Sequence, residues 1–219
     1  MADPTRDVPS YWDRYTRGIT PQAPEERLAS ALEWTQYAGH GPGVELLGQP
    51  SSALELGSGR GNAVATLASL GAKAAGVDLS PVAVEQARTR WGYLGAEFHQ
   101  ADAVDFLEGA PRRWDTIYSV WGAVWFTDPE VLLPLVYDRL EPGGSFVFSH
   151  APAIPGSYGA QGMYGGGFNG RRVWVYRWAY EPAEWERILT RHGFEEVRVW
   201  EEPAPDPEHV GTLIATARR

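Results

Sequence analysis

The chain has 219 residues, 43% of them hydrophobic and 21% charged, which is enough apolar material for one domain with a buried core. A formal net charge of −9, with basic residues clustered no further than pairs such as Arg112–Arg113, Arg171–Arg172 and Arg218–Arg219, disfavours a polyanionic partner, so a nucleic-acid substrate is not expected. The absence of cysteine excludes disulfides, thiolate metal sites and cysteine nucleophiles. With no apolar leader in the first ten residues and no run of about 20 apolar residues, a soluble cytoplasmic protein is the expectation, without membrane attachment.

In chain order, the opening Tyr11-Trp12-Asp13-Arg14-Tyr15 is rich in rings, and an amphipathic helix is expected over residues 24–38. From residue 52 onward, short apolar runs alternate with helical patterns. Residues 53–56 read as a strand and 63–70 as the helix after it; 74–77 is a second strand. Ser80 then caps a helix to about Arg90, with Pro81 at its first position. A third strand is expected at 96–99 and a fourth at 116–120, followed by a helix over 129–140. The fifth strand, 145–149, is entered through Pro142-Gly143-Gly144. This order implies a parallel sheet with helices on both faces. Residues 151–170 are glycine-rich and too long for a routine connection, so a mobile segment that orders over a ligand is expected there. An aromatic run at 173–180, a helix at 182–192 and two strands at 195–200 and 211–217 follow. The last two strands, joined by a proline-rich loop, read as a hairpin closing the sheet edge.

The segment Glu55-Leu56-Gly57-Ser58-Gly59-Arg60-Gly61-Asn62 sits where the first strand meets the first helix. Glycines there allow a sharp turn and a close approach of backbone to a ligand, and the helix behind offers free N–H groups. Asp78 ends the second strand, where a carboxylate can accept from two ribose hydroxyls. Asp102, after the third strand, can accept from an exocyclic amine; the plainer reading of each aspartate is a turn or cap. A nicotinamide dehydrogenase would place its third fingerprint glycine at Asn62, which disfavours that class. Past the fifth strand stands His150, whose side chain titrates near neutrality; it is the candidate general base, with a hydrogen-bonded structural histidine as the plainer reading.

The chain resembles the class I S-adenosylmethionine-dependent methyltransferases. The resemblance rests on the segments 54–61, Val77-Asp78-Leu79-Ser80, Gln100-Ala101-Asp102-Ala103, 114–119, Leu140-Glu141-Pro142-Gly143-Gly144 and Gly193-Phe194-Glu195-Glu196-Val197. It implies a Rossmann-like, doubly wound, mostly parallel seven-stranded sheet with an antiparallel C-terminal hairpin and an N-terminal helical lid, divided as lid (1–50), cofactor core (51–150) and substrate-side insertion (151–180). By this resemblance Gly57, Ser58 and Gly59 face the methionine part of S-adenosylmethionine, and Asp78 holds the ribose. Leu79 lies against adenine, Asp102 and Ala103 read its edge, and Val120 and Trp121 sit beside the methionine. The opening segment looks like the lid of thiopurine- and tellurite-resistance-type members, with Tyr11 and Tyr15 covering the cofactor. The small-molecule branch fits best, with S-adenosylhomocysteine as product and a monomer or homodimer as the assembly. A protein or peptide methyltransferase and a non-catalytic cofactor-binding module are the alternatives.

The substrate side is aromatic. Ten tryptophans are present, and Trp121, Trp125, Phe126, Tyr158, Tyr164, Phe168, Trp174, Tyr176, Trp178 and Tyr180 cluster in the segments expected to line it. They read as core packing or as a pocket for a planar or hydrophobic acceptor. Trp125, Tyr158, Tyr164, Phe168, Trp174 and Trp178 are the candidate acceptor contacts. Trp185 and Trp200 are expected in the core. No metal-ligand pattern is present, so no metal is expected.

Overall fold

The computed structural model describes residues 7–18, 32–164 and 173–219. Nine strands run among them in chain order: β1 (Ser52–Leu56), β2 (Lys73–Asp78), β3 (Glu97–Gln100), β4 (Trp114–Val120), β5 (Leu140–His150), β6 (Gly159–Tyr164), β7 (Trp174–Ala179), β8 (Glu195–Glu202) and β9 (Thr212–Arg218). Seven form one sheet in the order β3-β2-β1-β4-β5-β9-β8. β1 to β5 are parallel, and β9 runs antiparallel to both β5 and β8. The helices are α1 (Val8–Gly18), α2 (Asn62–Ser69), α3 (Pro81–Trp91), α4 (Ala103–Gly109), the single turn α5 (Ala123–Phe126), α6 (Pro129–Arg139) and α7 (Pro182–Arg191).

The alternation of side chains along each strand builds two cores. Leu54, Leu56, Ile117, Phe146, Phe148 and Leu213 face α4, α6 and α7. Their neighbours Ala53, Tyr118, Val147 and Ile214 face α2, α3 and the segment around Trp34 and Leu47. Burial on both faces explains why the strands read as continuous apolar runs. Ser80 caps α3 as expected, its hydroxyl accepting from the Ala83 N–H at 3.1 Å, with Pro81 in the first turn.

Several expectations need correcting. The helix expected over 24–38 is not formed in its described part: residues 32–38 are bends and turns, and 24–31 lie outside the described residues. Trp34 is fully buried on the sheet, and the Thr35 hydroxyl donates to the carbonyls of Tyr37 or His40, local bonds that compete with a helical ladder. β5 begins at Leu140 rather than 145, because the Pro-Gly-Gly turn is tied to the C-terminus: Gly143 N–H donates to Arg219 O, and Arg219 N–H to Gly144 O. The glycine-rich stretch is not a bare loop, since 159–164 forms β6, paired antiparallel with β7 in a separate two-stranded sheet. Residues 165–170 lie outside the described residues, and α4 and α5 went unread in the sequence.

The tightest backbone approach joins the turns after β1 and β4. A Cβ on Gly57 (φ +79°) would lie 2.4 Å from Ala123 N, whereas one on Gly71 (φ +96°) meets nothing within 4 Å. Gly57→Ala is therefore expected to lose more than about 2 kcal/mol, backbone strain plus overpacking. Gly71→Ala is expected to lose only the strain, about 1 kcal/mol. Urea melts of the two variants check this, and equal losses would overturn it.

Candidate functional site

The turns at the carboxyl ends of β1, β2, β3 and β4 converge on a cavity of about 300 Å³, at the point where the strand order reverses. The glycine turn is pinned first: the N–H groups of Gly57 and Ser58 both donate to Val77 O, at 2.9 and 3.0 Å. Gly59 N–H then donates to Asp78 Oδ2 at 2.8 Å, and Ser80 N–H to Asp78 Oδ1 at 2.8 Å. Each carboxylate oxygen accepts one bond and keeps acceptor capacity for a ribose hydroxyl. Burial raises the Asp78 pKa; the N–H groups of Ser80 and Gly59 oppose that, and the charge of Asp13 adds to it. Behind the turn, burial and then the Asp78 charge hold Glu55 well above the usual carboxylate range. Asp102 caps α4, its Oδ1 accepting from Val104 N–H at 2.8 Å, and also lines the cavity, so cap and contact are compatible.

Trp121 enters the cavity from an unusual backbone, φ +51°. Two bonds hold it there. Its N–H donates to Ser149 O at 2.9 Å, and its indole N–H donates to Trp34 O at 2.9 Å. A bulky residue in the left-handed region persists only where its surroundings over-determine it. Opposite, Val8, Trp12, Tyr15 and Thr16 recur at helical spacing on one face of α1 and close the cavity. The remaining wall is aromatic: Phe126, edge-on to Trp12 at 4.7 Å, and Trp174, Tyr176 and Trp178 from β7.

Of the expected site residues, Tyr15, Gly57, Gly59, Asp78, Leu79, Asp102, Ala103, Trp121, Trp174 and Trp178 share this wall. Others do not line it. Tyr11 lies one position off the lining stripe of α1, and Trp12 takes that place. Ser58 turns into the sheet against Gly76, and Val120 packs into the core. Trp125 lies behind the wall, ringed by Trp121, Phe126 and His150, with the Arg177 guanidinium 5.6 Å from its ring centre. Tyr158 is exposed and bonded to Glu181, and exposed Tyr164 lies against Trp174 at 4.4 Å. Phe168 lies outside the described residues. Sequence reasoning missed Trp12, Thr16, Arg60 and Thr127; only the helical phase of the opening segment could have signalled Trp12 and Thr16.

His150 is also displaced from the site, and the base role expected for it needs correcting. Its side chain is 0% exposed, off the cavity wall, between Trp125 (5.7 Å, 7°) and Phe148 (5.7 Å, 15°). Its Nδ1 lies 2.7 Å from Ala151 O and so carries the hydrogen. Burial pulls its pKa from 6.5 to about 4, leaving a neutral ring near neutrality. Among the described residues, no group of three or more histidines and carboxylates is placed to hold a metal ion, and no helix is long and apolar enough to cross a membrane.

Residues 53–144 match the family model described as a methyltransferase domain. The trans-aconitate 2-methyltransferase of Methylobacterium radiotolerans is 38% identical over 111 residues, 47% of this chain and 41% of that protein. The chain thus spans less than half the length of the curated relatives it matches. Two solved structures superpose along nearly the whole chain. A DhpI–SAM–HEP complex has TM-score 0.68 and 23% identity, covering 98% of this chain and 97% of its own. The Burkholderia thailandensis 1,6-didemethyltoxoflavin-N1-methyltransferase with bound 1,6-didemethyltoxoflavin and S-adenosylhomocysteine has TM-score 0.65 and 19% identity, covering 100% and 91%. These likenesses establish the fold: a Rossmann-like seven-stranded sheet closed by an antiparallel hairpin.

The buried imidazole has a consequence for stability. Its folded pKa lies below the unfolded value, so on acidification the unfolded chain takes the proton first. Its contribution is complete above pH 6.5 and falls away toward pH 4, roughly 3 kcal/mol at most. Thermal melts across that window should show a steeper acid loss in the wild type than in His150→Phe. Parallel curves would refute a buried neutral histidine.

Proposed function

We propose that this chain is a methyltransferase that moves the methyl group of S-adenosylmethionine to a small, planar or hydrophobic acceptor. One observation carries the reading: Asp78, oriented by Gly59 and Ser80 beside the glycine turn, faces the same cavity as Asp102 and an aromatic wall. Glycine cradle, ribose acceptor and adenine-edge acceptor follow one another around that cavity. The family match over 53–144 and the folds of a SAM-bound complex and of a methyltransferase support the same assignment.

When bound, the cofactor supplies a methyl group already activated on a positively charged sulfonium. The chain's own task is alignment and exclusion of water. Gly57 and Gly59 would let the backbone approach the methionine portion, Asp78 would receive the ribose hydroxyls, Asp102 would accept from the adenine amine, and Leu79 and Ala103 would flank the base. Trp121, fixed at both its backbone and its indole, would form a rigid floor for the methionine portion. Trp12, Phe126, Trp174, Tyr176 and Trp178 offer flat faces for a planar acceptor. The carboxylates on the wall suit the positive charge of the donor, and the rings suit an acceptor of low charge.

The opening helix on the cavity supports the lid part of the likeness to thiopurine- and tellurite-resistance-type members. The related proteins are named for small acceptors, trans-aconitate and a toxoflavin precursor, which supports a small-molecule partner here and an acceptor from natural-product metabolism.

Calorimetry with S-adenosylhomocysteine tests the assignment. Asp78→Ala removes two charge-assisted hydrogen bonds of about 1.5–3 kcal/mol each, so affinity should fall at least tenfold with the fold intact. Unchanged affinity would remove the ribose role. Methyl incorporation from labelled S-adenosylmethionine into a panel of planar phenols, amines and carboxylates would then identify the acceptor.

A further inference from the structure

We infer that Asp13 is a positioning residue for the cofactor: it ties the lid helix α1 to the ribose turn, so that filling the ribose site and holding the lid shut are one event. This rests on the cofactor assignment above. An eleven-residue helix is marginal by itself, and α1 has little core to lean on. Of its side chains only Thr16 is buried, while Val8, Trp12 and Tyr15 face the cavity. Polar pins hold it instead.

The first pin is at Asp13. The Ser80 hydroxyl donates to Asp13 Oδ1 at 2.6 Å, and Val82 N–H approaches the same oxygen at 3.4 Å. The carboxylate thus sits over the first turn of α3, where the helix end favours negative charge. The second pin is Arg60, whose Nη2 donates to Thr16 O at 2.7 Å in the last turn of α1, where carbonyls lack helical partners. Both anchors belong to the cofactor turns. Arg60 stands between Gly59 and Gly61. Ser80 donates its N–H to Asp78 and its hydroxyl to Asp13, while that hydroxyl accepts from Ala83 N–H.

One serine therefore orients the ribose acceptor and the lid together. The two carboxylates it joins repel each other, and the Asp13 charge raises the Asp78 pKa. Ribose hydroxyls donating to Asp78 would fix the carboxylate that holds Ser80 N–H, and the same serine holds Asp13 through its hydroxyl. Ligand and lid thereby stabilise one another.

Stopped-flow tryptophan fluorescence with S-adenosylhomocysteine on the full chain tests this, since Trp12 and Trp121 line the cavity. For Asp13→Ala the dissociation rate should rise about tenfold, with the association rate nearly unchanged. Asp13→Asn keeps an oxygen for the Ser80 hydroxyl and should stay within about threefold of wild type. Amide exchange over residues 8–18 should slow on ligand addition in the wild type and in Asp13→Asn, and not in Asp13→Ala. If Asp13→Ala does not fold, Arg60→Met reads the second pin and should also speed dissociation. A wild-type dissociation rate and wild-type protection in Asp13→Ala, or in Arg60→Met where that is the variant read, would overturn the inference. Failure of the wild type to bind, or tight binding by Asp78→Ala, would instead strike the cofactor assignment.

Discussion

The site depends on a contact of backbone upon backbone. The turn leaving β1 and the turn leaving β4 lie against each other so closely that neither tolerates a side chain: a Cβ on Gly122 would stand 2.4 Å from Leu56 O, and one on Gly57 would stand 2.4 Å from Ala123 N. The Ser119 hydroxyl fastens the same junction by donating to Leu56 O at 2.7 Å. These are the two strands at which the order of the sheet reverses, so the crevice between their ends is where a ligand fits. With that contact made, the glycine turn is carried over β2, Gly59 N–H reaches Asp78, and the chain after Val120 must turn through a left-handed Trp121. The cavity is a consequence of those constraints, and it needs no flexible loop to define its floor.

The glycine turn also gathers acidic side chains. Glu55, Asp78 and Asp13 gather on one side of the glycine turn; burial and the Asp78 charge push Glu55 upward, and burial and the Asp13 charge push Asp78 upward. Such a group is costly when desolvated, unless donors or positive charge offset it. The turn supplies part of the remedy through the N–H groups of Gly59 and Ser80. Under the proposed function, the ribose hydroxyls of the cofactor would supply the rest. A carboxylate at Asp78 is common to both classes of cofactor site, and it is Asn62, where a third fingerprint glycine would fall, that disfavours a nicotinamide dinucleotide.

What the sequence disclosed was what depends on neighbours in the chain. The glycine turn, Asp78 at a strand end and Ser80 ahead of Pro81 are local devices, and their geometry follows from spacing. What it concealed depends on rotation about a helix or on pairing at a distance. Tyr11 and Trp12 differ by one residue, which on a helix is about 100° of rotation, and only the docking of α1 shows which ring faces the cavity. β6 hides in a glycine-rich run because it becomes a strand by pairing with β7 some ten residues on, and its own composition gives no strand pattern. His150 has the right place in the chain for a base. Three flanking rings, from Trp125, Phe148 and Trp185, turn it into a packing element, and no local pattern announces that.

The tryptophans divide by what their indole nitrogens do. Trp34 donates to Gly43 O, and Trp91 donates to Arg60 O and so ties the core to the cavity wall. Trp121 donates to Trp34 O, which makes the floor of the site continuous with the buried layer beneath it. Behind the wall, Trp125 is stacked on His150 on one side and Trp121 and Phe126 abut it, with Arg177 of β7 above the ring. Arg177 donates in turn to Gln161 of β6, so the two-stranded sheet is latched to the main one through a ring rather than through chain connectivity. A rigid aromatic surface has few torsions to freeze when a ligand docks, so little ordering entropy opposes binding. For the proposed methyl transfer, which needs one atom aligned between two others, stiffness in the wall is the relevant property, and leucines of equal area would not provide it.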